Sequence, residues 1–113
     1  MRRVIILTAL FYLSISQLLS AQNNQKNRVI ILSDIEADPD DTQSFVRLLL
    51  YSNQIDIKGM VATTSCWYRN SVEPESIEKV IQSYGKVQPN LLKHEAGFPS
   101  EKELLSLPRS LNL

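Results

Sequence analysis

The sequence predicts an α/β protein with a parallel sheet, and two successive strand-and-helix patterns support that prediction. In the 113-residue chain, apolar runs at residues 28–33 and 55–64 read as strands. Amphipathic helical spacing follows each of them, at residues 42–51 and 73–85. Strands that alternate with helices are typical of βαβ units, in which the strands run parallel.

The first strand and the first helix have clear signals. Residues 28–33 are apolar without alternation, which predicts a strand that is buried on both faces. Residues 34–41 are acidic and contain Pro39, so we expect a loop there. Residues 42–51 then place apolar side chains at helical spacing. These side chains are Phe45, Val46, Leu48, Leu49 and Leu50.

The second half of the chain repeats the pattern. Residues 73–85 predict a helix with Pro74 in its first turn and Gly85 at its end. Residues 101–107 predict a short final helix. The carboxyl ends of parallel strands meet at one edge of a sheet, so residues 34–41 and 63–70 should lie side by side. The apolar face of the second helix consists of Ile77, Val80, Ile81 and Tyr84.

The N-terminal segment has the composition of a secretory signal peptide. Two arginines precede an apolar run at residues 4–13, and a small-residue cleavage site ends at Ala21. A permanent membrane anchor needs about 20 apolar residues, whereas polar residues interrupt this run from Ser14 onward. We therefore expect a signal peptide at residues 1–21, export to the periplasm or the medium, no permanent membrane anchor, and a flexible lead-in at residues 22–27.

Charge and length exclude other classes of protein. Twelve basic residues balance twelve acidic ones without a basic stripe, so we expect no nucleic-acid partner. The single cysteine, Cys66, cannot form an intrachain disulfide. Two evident strands are too few for a stable α/β domain. We therefore expect residues 28–113 to be a truncated domain, the N-terminal part of a longer one.

The predicted loop after the first strand is strongly acidic. Five carboxylates fall within residues 34–41, where they repel each other unless a positive charge compensates. Oxygen donors suit calcium or magnesium, and calcium is favoured if several carboxylates bind directly. The alternative is helix capping, because Asp40 and Asp41 precede a predicted helix. Capping does not explain Asp34. From spacing alone, both a cation site and an acidic cap remain open.

A family resemblance rests on these residues. A strand, Asp34-Ile35-Glu36, three residues, Asp40-Asp41 and a helix resemble the N-terminal signature of nucleoside hydrolases, Asp-Thr-Asp-Pro-Gly-x-Asp-Asp-Ala. The stretch is most similar to an exported nucleoside hydrolase-like branch labelled cellulose-binding, which shares Ser-Asp-Ile, Pro-Asp-Asp and Ala-Thr-Thr-Ser. The resemblance extends over residues 28–106 and implies a nucleoside hydrolase-like, Rossmann-like α/β domain.

The resemblance also implies roles for individual residues. Asp41 matches the family's bidentate calcium ligand, Asp40 matches an aspartate that binds a ribose hydroxyl, and Asp34 matches the first aspartate of the signature. Glu36 stands where the family has a calcium-ligating aspartate that deprotonates water, and it is one methylene longer. Asp38 replaces the usual glycine. The implied cofactor is calcium, with Asp34, Glu36 and Asp41 as metal ligands and Glu36 as the catalytic base.

Two classes of function follow from the resemblance. The first is hydrolysis of the N-glycosidic bonds of ribosides, in which calcium holds the ribose diol and a water molecule. No later acidic residue stands in a motif that completes such a site, so we expect this short chain to be inactive. The alternative is an exported, non-catalytic carbohydrate-binding or cellulose-binding module.

Two other side chains are candidates for the site. Trp67 follows the second strand and could stack on a sugar or a base, or it could cover the edge of the core. Its position in the predicted loop favours substrate binding. His94 is the only histidine, and we expect it on the surface.

Overall fold

The computed structural model describes residues 25–107. The order of elements confirms the predicted α/β class. The predicted signal peptide at residues 1–21 and the start of the lead-in lie outside the described residues. The elements are β1 (Asn27–Ser33), α1 (Pro39–Leu50), a 3-10 turn (Ser52–Gln54), β2 (Ile55–Ala62), α2 (Pro74–Leu91) and α3 (Glu101–Leu105).

The two strands pair in parallel and end together. Ser33 at the end of β1 pairs with Ala62 at the end of β2. The backbone N–H of Thr63 then donates to the carbonyl of Ser33 at 2.8 Å. The register shifts between Val29 and Ile30. The segments that follow the two strands therefore start side by side, as the sequence predicted.

The helices bury their apolar faces against the sheet in one core. The predicted apolar face of α2 is entirely buried. Only Phe45 and Leu49 are buried on α1, whereas Val46 and Leu50 remain partly exposed. The buried cluster comprises Ile35, Phe45, Leu49, Ile57, Met60, Ala62, Ile77, Val80, Ile81, Tyr84 and Leu104.

The prediction that β1 is buried on both faces is wrong for the part of the chain that the structure describes. Val29 and Ile31 pack against the core. Ile30 and Leu32 point the other way and are 66% and 64% exposed. The reason is that α1 and α2 pack with the core side of β1, so the alternate residues of the strand face solvent.

The loop in the acidic segment is shorter than predicted, because α1 begins at Pro39. Asp38 is the N-cap residue with extended backbone, and Asp40 and Asp41 lie in the first helical turn. Proline suits the first position of a helix, where its missing N–H has no partner to lose. The loop therefore covers residues 34–38, and the prediction of a loop at Asp40 and Asp41 is wrong.

The prediction that α2 ends at Gly85 is also wrong, since the helix continues to Leu91. A Cβ atom at Gly85 would collide with the side chain of Glu101, the first residue of α3. The glycine thus leaves room for the Glu101 side chain beside α2 and does not terminate the helix. β2 and α3 each end two residues before the predicted position, at Ala62 and Leu105, and β1 begins at Asn27, one residue earlier than predicted.

Candidate functional site

The turn after β1 is attached to the core by Ile35, which is 1% exposed. The backbone N–H of Ala37 donates to the carbonyl of Asp34 at 2.9 Å and closes the turn. Glu36 lies at the surface with φ at 75°, a left-handed conformation that costs a residue with a side chain about 1 kcal/mol. Burial of Ile35 therefore leaves the flanking Asp34 and Glu36 at the edge of the sheet.

Asp41 is held in place by the end of β1. The Ser33 hydroxyl donates to Asp41 Oδ1 at 2.8 Å. Ser33 is 8% exposed and Asp41 is half-buried, whereas Asp40 in the same turn is exposed. The sequence analysis did not identify Ser33 as a site residue. Its signal was a hydroxyl residue that ends an apolar strand and precedes the acidic turn.

The fit of these carboxylates to calcium is partial. Their oxygen atoms are ligands that calcium prefers. Within residues 25–107, however, no three histidine, cysteine, aspartate or glutamate side chains come together in a way that could hold a metal ion. Asp34, Glu36 and Asp41 thus share one edge of the sheet without converging on a common point. Calcium binding would require these three side chains to change rotamer, or further ligands from elsewhere.

The segment after β2 presents Trp67 to solvent. Ser65 Oγ accepts hydrogen bonds from the backbone N–H groups of Trp67 and Tyr68, both at 3.1 Å. The Tyr68 hydroxyl donates to Glu73 Oε1 at 2.7 Å. Trp67 is 81% exposed, so it does not cover the edge of the described core. An indole ring and a set of carboxylates therefore extend from adjacent strand ends.

The neighbouring residues add to the description of this edge. Cys66 is exposed, and its carbonyl accepts a hydrogen bond from Arg69 Nε at 2.7 Å. A cavity of about 250 Å³ lies beside Asp41, between β1 and α1.

His94 is exposed in the turn after α2, as predicted. No helix among the described residues is long and apolar enough to cross a membrane.

The chain combines a parallel α/β fold with an acidic turn at a strand end, the combination for which the sequence analysis expected a nucleoside hydrolase-like domain. Residues 28–112 match the family described as "Cellulose-binding Sde182, nucleoside hydrolase-like domain". The match spans most of the sequence, so the chain belongs to that family. The resemblance stated from the sequence is thereby confirmed.

A solved structure is similar to this chain. It is a nucleoside hydrolase-related hypothetical protein from Saccharophagus degradans that is associated with carbohydrate metabolism. The two share 38% sequence identity with a TM-score of 0.70, over 74% of this chain and 20% of that chain. This chain therefore spans about one fifth of the length of that structure. None of the curated proteins matches this chain.

Proposed function

We propose that this chain supplies a carbohydrate-binding edge of a nucleoside hydrolase-like domain. Trp67 stacks on a sugar ring, and the carboxylates of Asp40 and Asp41 accept hydrogen bonds from hydroxyl groups. The observation that supports this proposal is the exposed indole ring on the segment adjacent to the acidic turn. The family description, cellulose-binding, and the association of the similar structure with carbohydrate metabolism agree with it.

The chemistry of a sugar ring suits these two kinds of side chain. One face of a pyranose carries C–H groups, and its rim carries hydroxyl groups. An indole ring offers a large, rigid apolar surface to the C–H face. Carboxylates form strong, charge-assisted hydrogen bonds with hydroxyl donors. Asp41 is already oriented by Ser33, so less ordering is required when a ligand binds.

The test is binding of cellopentaose to the full chain, measured by calorimetry. Replacement of Trp67 by alanine should weaken binding by about tenfold or more, as truncation of a central aromatic contact does. The matched control is Tyr51→Ala, which removes another exposed aromatic ring, at the end of α1. Equal affinities of the parent chain and Trp67→Ala, or equal losses in both variants, would contradict the proposal.

The second candidate is hydrolysis of ribosides by a domain that this chain helps to build. The orientation of Asp41 by Ser33 and the left-handed backbone of Glu36 favour it, since strained backbone clusters at active sites. Asp34, Glu36 and Asp41 would hold calcium, which would increase the acidity of a bound water molecule. Glu36 would accept a proton, and Asp40 would bind a ribose hydroxyl.

Release of free ribose from inosine separates the two candidates. We expect none from this chain by itself, because its described carboxylates do not converge on one point. Turnover that is lost in Asp41→Asn would favour the hydrolase over a protein that only binds sugar.

A further inference from the structure

We infer that Ser65 and the Tyr68–Glu73 pair are positioning residues, which hold the backbone at Trp67 in place so that its ring can stack on a neutral sugar ring. The inference rests on the proposed function and extends it to residues that do not touch the ligand. Its basis is the set of hydrogen bonds around Trp67, a side chain that is itself 81% exposed.

The backbone on both sides of Trp67 is fixed by one serine. Ser65 Oγ accepts from the N–H groups of Trp67 and Tyr68, each at 3.1 Å. The Ser65 N–H donates to the carbonyl of Tyr68 at 3.0 Å. These three bonds close residues 65–68 into a compact turn. With its backbone held, Trp67 retains chiefly its two side-chain torsions, so less freedom is lost on binding.

A second contact joins this turn to the folded core. The Tyr68 hydroxyl donates to Glu73 Oε1 at 2.7 Å. Glu73 is the N-cap residue of α2, and its carbonyl accepts from the N–H of Ser76 at 3.1 Å. Ser76 and Ile77 are buried in the same turn of the helix. The turn at residues 65–68 is thus attached to the beginning of α2.

The class of ligand is that of the proposed function, and the properties of the loop suit it. An exposed indole ring offers a flat, uncharged surface, and the carboxylates at the neighbouring strand end accept hydrogen bonds from hydroxyl donors. A neutral sugar ring has both an apolar face and a rim of hydroxyl groups. We therefore use cellopentaose, a neutral hexose oligomer, as the probe.

Trp67 is the only tryptophan in the chain, so its fluorescence reports on this loop alone. The experiment titrates the full chain with cellopentaose and, separately, with inosine. We expect Ser65→Ala to weaken cellopentaose binding by about three- to tenfold and to lower the fluorescence anisotropy of the free protein. Ser65→Thr should restore both quantities, and Tyr68→Phe should give a smaller loss.

The matched control is Ser71→Ala, which removes an exposed serine from the same segment. It should leave affinity and anisotropy unchanged. The melting temperature of each variant is measured in parallel. Ser65→Ala should change affinity without a comparable loss of stability, since its side-chain hydrogen bonds lie outside the core, one exposed and one partly buried.

The outcomes separate this inference from the proposed function. If Trp67→Ala loses binding in the calorimetric titration while Ser65→Ala binds like the parent chain, the positioning role is wrong and the proposed function stands. If Ser65→Ala loses stability and affinity together and threonine restores neither, Ser65 is merely structural. If the parent chain does not bind cellopentaose, the proposed function itself fails. Tighter binding of inosine than of cellopentaose would overturn the assigned class of ligand.

Discussion

Asp41 shows how one residue can fit two interpretations of the same sequence. It lies in the first turn of α1, where a negative charge interacts favourably with the helix dipole. Its carboxylate also accepts a hydrogen bond from Ser33 at the end of β1. Helix stabilisation and cation binding both use the negative charge of this group. A measurement that adds calcium is therefore needed to distinguish them.

We predict that calcium stabilises the chain and that Asp41→Asn removes the effect. At about 10 mM calcium, a weak site with a Kd of about 1 mM would add about 1.4 kcal/mol to the free energy of unfolding. Exposed Glu36 and half-buried Asp34 can change rotamer at the edge of the sheet to share the ion. Thermal unfolding followed by circular dichroism, with and without calcium, checks this expectation.

The control for this prediction is Asp56→Asn. Asp56 is the second residue of β2, and its Oδ1 lies 2.8 Å from Lys58 Nζ. The substitution removes one negative charge far along the strand from the acidic turn, so the calcium response should persist. A calcium-induced shift of the same size in Asp41→Asn and in the parent chain would show that Asp41 is not a calcium ligand.

At the scale of elements, Tyr84 joins α2 to the segment that precedes α3. Its side chain is buried, and its hydroxyl donates to the carbonyl of Pro99 at 2.8 Å. Burial raises the pKa of Tyr84, and the negative charge of Glu103 adds to that effect, while a hydrogen bond with Ser52 opposes it. The neutral hydroxyl is therefore the form that the fold favours.

We predict that Tyr84 makes the protein less stable in alkali. Because its pKa in the folded state lies above the ordinary value of 10.0, the folded state binds the proton more tightly. This contribution is complete below about pH 10 and decreases as the pH rises through the folded-state pKa. Tyr84→Phe should flatten the alkaline decline and should cost about 1 kcal/mol at neutral pH through the lost hydrogen bond.

Urea unfolding between about pH 7 and pH 11 measures both effects of this substitution. Tyr51→Phe is the matched control, since it removes the hydroxyl of a tyrosine that is 64% exposed. The control should leave the pH dependence unchanged. An alkaline decline of equal steepness in Tyr84→Phe and the parent chain would show that other groups cause it.

At the scale of the whole molecule, the parallel sheet has an apolar face without a helix layer in the described residues. Ile30 and Leu32 are exposed on that face of β1. Parallel sheets in α/β proteins are ordinarily covered on both faces. The chain also spans only about one fifth of the similar solved structure. Exposed apolar surface of this kind promotes association.

We predict that the chain self-associates through this face as its concentration rises. The double substitution Ile30→Thr and Leu32→Thr should reduce association, because it removes apolar surface. Threonine also keeps a high preference for strands. Sedimentation velocity over a range of concentrations measures the effect. Val72→Thr, at another exposed apolar position, is the control and should behave like the parent chain. Association that persists in the double variant would show that another surface is responsible.

The sequence by itself determined the order of strands and helices, the buried face of α2, and the acidic turn that identifies the family. These features depend on local periodicity and on contiguous motifs, which are visible along the chain. The signal peptide at residues 1–21 and the calcium ligands were also inferred from the sequence and remain predictions.

Only the tertiary structure decided which face of β1 is covered, why Gly85 lies inside a helix, and that Ser33 orients Asp41. It also decided that Trp67 faces solvent on a turn closed by Ser65. The physical reason is that burial and close approach depend mainly on elements that are distant in sequence. In β1 the exposed residues Ile30 and Leu32 are as apolar as the partly buried ones, so the strand carries no local signal of the face on which the helices pack.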